Sequence, residues 1–291
     1  MRIGVFGNRC KEQHLPVMKG LFDKLNVLQA DVFVQRLLND FLREKLGYVP
    51  RVTGEINDSK VDLDIALSVG GDGTFLRTVL QIHKQSIPVL GINTGNLGFL
   101  ADVGSDQINE TLDELFRGDY RIEERSLLQL FCENRPSGSF DFALNEIAIL
   151  KRDTATMITI HAYLNDDYLT SYQANGLLVA TPTGSTAYSM SVNGPILLPQ
   201  NRSFILSPVA PHSLNDRPIV IPDDYTVTLK IESRTNTFLV SLDGRWEEMP
   251  DGIVLKIKMA DLKTRLIKRF NHTFYRTLRE KLKWGIDGRD G

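Results

Sequence analysis

The spacing of apolar positions changes along this chain, and the change divides it in two. "RIGVF" (Arg2–Phe6) is a short continuous apolar run that predicts a buried strand, with Gly7 and Asn8 as the loop behind it. From Leu15 to Leu46 the apolar residues fall at helical spacing, Val34, Leu37, Leu38, Phe41 and Leu42 among them. Gly47 then stands where a helix end calls for a left-handed residue. "DIALSVGG" gives a second buried strand through Ile65, Ala66, Leu67 and Val69, and a breaker-free helix follows from about Thr74 to Lys84. "IPVLGIN" is a third strand running into "NTGNLGF", and "INETLDELFRG" is a helix that closes near Gly118. Strand alternating with helix predicts a parallel, Rossmann-like α/β sheet.

After Tyr120 the helical spacing stops. "RSLLQLFCEN", "FALNEIAIL", "MITIHAYLN", "GLLVAT", "TVTLKIES", "TFLVSLDG" and "IVLKIKM" are short strand candidates separated by Asp, Asn, Gly and Ser turns. With little helix between them they predict a mostly antiparallel all-β domain. The reading is therefore an α/β domain over 1–122, a β domain over 123–269, and an amphipathic C-terminal helix, "TFYRTLREKLKWG", over about 270–291 that joins the first domain.

Composition narrows the partners. The 291 residues are 42% hydrophobic and 24% charged, as in a folded globular chain. A net charge of −2 gives no bulk reason to expect nucleic acid or an anionic membrane. A polyanionic ligand must then be held locally, by backbone amides, a few cations or a metal. Cys10 and Cys132 sit in apolar contexts without metal-ligand spacing, which predicts buried thiols in a reducing compartment. There is no signal-peptide pattern and no apolar run near the ~20 residues of a membrane span, so a cytoplasmic location is expected.

Three clusters carry candidate chemistry. "GGDGT" lies at a strand-to-helix junction, where open parallel sheets bind ligands. Gly70, Gly71 and Gly73 let a phosphate or ribose approach the backbone, and the opening helix favours anions. Asp72 would repel phosphate, but it suits accepting a proton from a hydroxyl that attacks a phosphoryl group. The plainer alternative is a tight turn with Asp72 as helix N-cap. "ALNEIAIL" sets Asn145 and Glu146 in an apolar segment, where a ribose diol would satisfy both; alternatively Glu146 faces outward and Asn145 caps a bulge. "ATPTGSTAYSMSVNGP" surrounds Gly184 with Thr181, Thr183, Ser185, Thr186 and Ser189, donors for sugar or phosphate, and Tyr188 offers a face for a base. The five histidines give no metal-ligand pattern, and no residue is assigned to a metal.

In this order, "GGDGT", "GIN.G.LGFL", "NE", "TPTGSTAYS", "GP", "PH", "RP" and "DG" resemble the bacterial NAD kinases of the ATP-NAD kinase family. The resemblance implies an α/β domain plus an all-β domain with the active site in the cleft between them. It implies ATP-dependent phosphorylation of the 2′-hydroxyl on the adenosine ribose of NAD. By position Asp72 would be the base, Gly73 would help form the nucleotide site and Phe99 would flank the nucleotide. Asn145 and Glu146 would hold the ribose, Thr186, Ala187, Tyr188 and Ser191 would line the adenine side, and Asn175, Ala210 and Arg245 would also meet ligand. Arg77, one helical turn from Asp72, is the best local cation, with a surface helix arginine as the alternative. Few cations stand near these motifs, so a divalent metal, Mg2+ or Mn2+, is expected to arrive with ATP. The family assembles as homodimers or homotetramers, with the segment before "GLLVAT" reaching a neighbouring subunit's ligand.

Three positions depart from the family pattern. Asn175 replaces an aspartate, Asn193 a glycine, and Arg245 follows Asp243 and Gly244; the arginine would favour a phosphate contact. A lipid kinase sharing "GGDGT" and a non-catalytic nucleotide-binding regulator are the competing readings, against which "NE", "TPTGSTAYS" and the retained Asp72 speak.

Overall fold

The computed structural model describes residues 1–7, 12–57, 62–95, 98–133, 141–153 and 156–284. Asn8, Cys10, Asn96, Leu97 and the tail after Trp284 lie outside the described residues. The chain forms two units, Met1–Glu124 with Thr264–Gly291, and Arg125–Lys263.

In the first unit the elements are β1 (Arg2–Gly7), α1 (Leu15–Val27), β2 (Asp31–Gln35), α2 (Arg36–Leu46), β3 (Gly54–Ile56), β4 (Ile65–Val69), α3 (Asp72–Ile82), β5 (Val89–Ile92) and α4 (Ile108–Arg117). The strands pair in parallel in the order β5-β4-β1-β2-β3. The chain steps outward from β1 to β3 and then returns to β4 on the other side of β1. That reversal places the ends of β1 and β4 at a topological switch point. Ile3, Val5, Leu67 and Ile92 from the sheet pack with Phe22 and Leu25 of α1 in one core.

The stretch from Leu15 to Leu46 corrects the helical reading. It is two helices separated by β2, because "DVFVQ" buries Val32 and Val34 on alternate positions beside β1. Gly47 does close α2 in the left-handed conformation, at φ 59°.

The chain leaves the first unit within β6 (Tyr120–Cys132). There follow β7 (Phe142–Ala143), β8 (Glu146–Lys151), β9 (Ile158–Leu164), β10 (Asp167–Ala174), β11 (Gly176–Ala180), α5 (Tyr188–Ser191), β12 (Ser203–Val209), β13 (Ile219–Pro222), β14 (Val227–Glu232), β15 (Thr237–Leu242), β16 (Arg245–Pro250) and β17 (Val254–Arg269). The chain re-enters the first unit within β17 and ends in α6 (Phe274–Leu282). Six strands pair antiparallel in the order β13-β12-β11-β8-β15-β16, and a second antiparallel run is β10-β9-β14-β17. Ile147, Ile149, Leu177, Val179, Phe204 and Phe238 belong to the core of this unit. All five residues of β11 are buried, since the strand is central between β8 and β12 and shows no alternation.

Cys132, expected to be buried, is only half-buried at the end of β6, with its thiol on the Glu133 carbonyl. No helix among the described residues is long and apolar enough to cross a membrane.

Candidate active-site clusters

Asp72 opens α3, and Gly71, not Asp72, is the N-cap; no side chain caps this helix end. The Asp72 carboxylate is directed instead at the segment after β5. Its Oδ2 accepts the Phe99 amide at 2.9 Å, and its Oδ1 accepts those of Leu100 and Ala101 at 3.1 and 2.9 Å. The N-cap alternative is thereby removed. The fit also explains Gly98: a Cβ there would lie 1.9 Å from Asp72 Oδ1. A carboxylate offers about four acceptor positions, so three amides leave one of them for a ligand. At Gly73 an added Cβ would meet nothing within 4 Å, so protein packing does not account for the missing side chain.

Beyond the amides, Phe99 is half-buried, with the Phe274 ring 6.4 Å away and Lys281 Nζ 5.0 Å from its centroid. Arg77 is exposed and its guanidinium makes a long bond, 3.4 Å, to Thr74. It lines a cavity of about 830 Å³ with Gly7, Gln35, Leu37, Phe41 and Thr74, among others, at the ends of β1 and β2.

In the second unit the peptides of Leu144, Asn145 and Glu146 are gripped from two sides. Asp243 Oδ2 accepts the Leu144 amide at 2.7 Å, and Oδ1 accepts those of Asn145 and Glu146 at 2.8 and 3.1 Å. Asp243 and Gly244 both have positive φ, 49° and 79°, the Asp-Gly turn that joins β15 to β16. On the other side, Thr181 bonds the Leu144 carbonyl through Oγ1 at 2.6 Å and the Asn145 carbonyl through its amide at 2.9 Å. Gly184 packs on the same peptide, where a Cβ would lie 2.1 Å from the Asn145 oxygen.

Asn145 and Glu146 are 9% and 8% exposed, which removes the outward-facing alternative for Glu146. Glu146 Oε2 is buried without a hydrogen-bond partner. Burial, and secondarily the charge of Asp243, push the Glu146 carboxyl up to about 8, against the opposing pull of a hydrogen bond from the Tyr188 backbone. Burial likewise raises Asp243, offset by its three amides and by Arg245. One buried carboxyl oxygen without a partner, close to a tyrosine that is 37% accessible, is a polar group a ligand could satisfy.

The hydroxyl-rich loop splits into two sets. Thr181, Ser185 and Ser189 are wholly buried and bonded internally, Ser185 to the Pro182 carbonyl and Ser189 to Ser207. They are scaffold, which corrects the expectation that the whole cluster serves a ligand. Thr186 and Ala187 are half-buried, while Tyr188 and Ser191 are exposed. Asn175 and Ala210 lie elsewhere, at the Gly176 end of β11, where the Asn175 amide bonds the Val209 carbonyl. Glu146 pairs with Ala180 at the other end, about 13 Å away along the strand. Ala210 is exposed at φ 43°, an unfavourable backbone for alanine. Arg245 turns into its own unit, with Nε on the Leu242 carbonyl at 3.0 Å and Nη2 on the Phe142 carbonyl at 2.7 Å.

The residue missed from sequence is Asp243 as the clamp on Asn145 and Glu146. Its signal was the Asp-Gly turn itself. Among the described residues, no group of three or more His, Cys, Asp or Glu side chains is placed to hold a metal ion.

Comparison with known proteins supplies an independent line. Residues 3–120 match the ATP-NAD kinase N-terminal domain family and residues 144–269 the ATP-NAD kinase C-terminal domain family. The sequence is 46% identical to an NAD kinase of Bacteroides fragilis over 289 residues, covering 99% of this chain and 100% of the relative. It is also 46% identical to one from Porphyromonas gingivalis over 284 residues, 98% of each chain. Among solved structures, an Archaeoglobus fulgidus NAD kinase in complex with ATP superposes with TM-score 0.77 at 26% identity, covering 97% of this chain and 99% of that one. A yeast NADH kinase complexed with NADH shares the fold, with TM-score 0.87 at 21% identity over 99% and 89% of the chains.

Proposed function

The chain belongs to the ATP-NAD kinase family and carries out ATP-dependent phosphorylation of NAD, and on that premise we propose that Asp72 takes the proton from the 2′-hydroxyl of the adenosine ribose. The observation that carries this reading is the amide clamp. Three amides fix the carboxylate and leave one acceptor position for a substrate hydroxyl. As the proton passes to Asp72, the ribose oxygen bonds to the γ-phosphorus of ATP and the bond to ADP breaks. The proton then leaves Asp72 for solvent.

Asn145 and Glu146 hold the ribose. The neutral Glu146 carboxyl both donates and accepts, matching a vicinal diol, and its unpartnered Oε2 is where a diol would bond. Tyr188, Ser191, Thr186 and Ala187 take the adenine side. Arg245 acts indirectly, by fixing the hairpin that carries Asp243.

For the donor, Gly73 leaves room for phosphate. Leu37 and Phe41 give the cavity beside Arg77 an apolar wall for the nucleoside, and Arg77 faces its phosphates. Few cations stand near the motifs to neutralise the phosphates, so a divalent metal enters as a component of the substrate, bound to ATP. It neutralises charge on the phosphates, while the chain's own residues orient the ribose and move the proton.

Asn175 and Ala210 lie at the far end of β11 from Glu146, which supports their serving the ligand of a neighbouring subunit in a dimer or tetramer. The location we assign is the cytoplasm.

The test is the identity of the product. Incubated with NAD, ATP and Mg2+, the protein should yield a compound that an NADP-specific dehydrogenase reduces and that 31P NMR assigns as the ribose 2′-phosphate. A 3′-phosphate would contradict the reading.

A further inference from the structure

Asp72 is held by amides that belong to a short turn, and that turn is itself gripped from the C-terminal end of the chain. Immediately after Ala101, Asp102 is 7% exposed and accepts Lys268 Nζ at 2.5 Å; Lys268 is also 7% exposed. His272 Nδ1 approaches the same Oδ2 at 3.2 Å. Burial pushes the Asp102 carboxyl up, but Lys268 and His272 outweigh it and hold the group below its ordinary range, so the ion pair persists. Buried ion pairs add little net stability, and their best-attested value is to fix a register. On the other flank, Phe99 contacts Phe274 and lies under Lys281, both from α6. These contacts come from residues more than 165 positions away in sequence, all within the first unit.

We propose that this C-terminal segment positions the catalytic carboxylate: Lys268 fixes the turn through Asp102, and Phe274 and Lys281 fix it through Phe99. They are positioning residues, since none touches the reacting atoms. α6 begins with a built stop, the Thr273 hydroxyl accepting the Arg276 amide, so Phe274 is presented at a defined place in the first turn. Lys281 is exposed, and a lysine there needs no partner for folding. Its placement over Phe99 gives a cation–π contact that orders the ring whose own amide holds Asp72 Oδ2. Displacement of a catalytic group by about 1 Å costs up to roughly a hundredfold in rate. The clasp therefore bears on turnover more than on binding. The proposal rests on Asp72 being the base.

The experiment uses the full chain and two readouts. Lys281→Gln and Phe274→Ala are compared with the rescuing variants Lys281→Arg and Phe274→Tyr. Hydrogen exchange at the Phe99, Leu100 and Ala101 amides reports the clasp without reference to activity. The first pair should accelerate exchange at those amides and lower kcat roughly tenfold, with KM for NAD within about twofold. The rescuing pair should restore both. In an Asp72→Asn background, Lys281→Gln should cause no further loss. Unchanged exchange at the three amides in Lys281→Gln, or a kcat loss that multiplies fully in the Asp72→Asn background, overturns the clasp. Full turnover by Asp72→Asn alone overturns the base assignment instead, so the two failures are told apart.

Discussion

Asp243 accepts the backbone amide of Glu146 at 3.1 Å, while the Glu146 side chain stays buried with Oε2 unpartnered. One carboxylate thus organises the peptide that carries the other, and its charge discourages ionisation of its neighbour. Asp72 makes the same kind of three-amide clamp in the first unit. In both, the acid fixes a turn of backbone before any ligand arrives.

The pH dependence of stability follows from that pair. Folded Glu146 keeps its proton up to about 8, whereas the unfolded chain releases it near the ordinary glutamate value of 4.5. Between those values the native state binds more protons, so the contribution is intact below the lower value and is lost as pH rises through the upper one. Raised Asp243 acts in the same direction. Urea unfolding from about pH 5 to 9 should show wild type losing stability with rising pH. Glu146→Gln should show a distinctly shallower slope.

Asp243→Asn tests the clamp. The variant retains one oxygen but turns an NH2 toward an amide that needs an acceptor, so a buried donor is left unmet. The expected cost is roughly 1–3 kcal/mol in urea unfolding, with weaker NAD binding by calorimetry because Asn145 and Glu146 lose their fixed placement. Wild-type stability would contradict the role.

Most of the fold was legible because burial leaves a periodic trace. "DIALSVGG" and "GLLVAT" lie in central strands and read as continuous apolar runs. β2 escaped because its residues, read with the helices on either side, also satisfy helical spacing. β10, "DYLTSYQA", and β16, "RWEEMP", escaped because their polar and exposed positions outnumber the buried ones. The motifs singled out Asp72, Asn145 and Glu146, whose carboxylate and peptides the structure ties into amide clamps. The sequence could not show which hydroxyls of Thr181–Ser191 are scaffold, since Thr181, Ser185 and Ser189 differ from their neighbours only in what they meet in three dimensions. Nor could it show that Phe274 and Lys281 meet Phe99.

Gly98→Ala places a methyl carbon against Asp72 Oδ1, at a separation the native backbone sets at 1.9 Å. The carboxylate must move. We expect kcat to fall at least about tenfold, with NAD binding little changed, as read from steady-state kinetics and calorimetry.

Tyr188→Ala should act on the other side of the balance. Tyr188 is 37% exposed, so its loss leaves the core intact. Removing a stacking face of this kind costs roughly 0.5–1.5 kcal/mol of binding. KM for NAD should rise several-fold or more while the melting temperature stays near wild type.

Single-turnover NADP formation by Asp72→Asn tests most directly whether Asp72 removes the ribose proton. The substitution keeps the shape and one oxygen for the amide clamp but removes the base. With ATP–Mg2+ and NAD saturating, the chemical step should slow by roughly a hundredfold or more, with the Kd for NAD within about twofold of wild type. A single-turnover rate equal to wild type would contradict it.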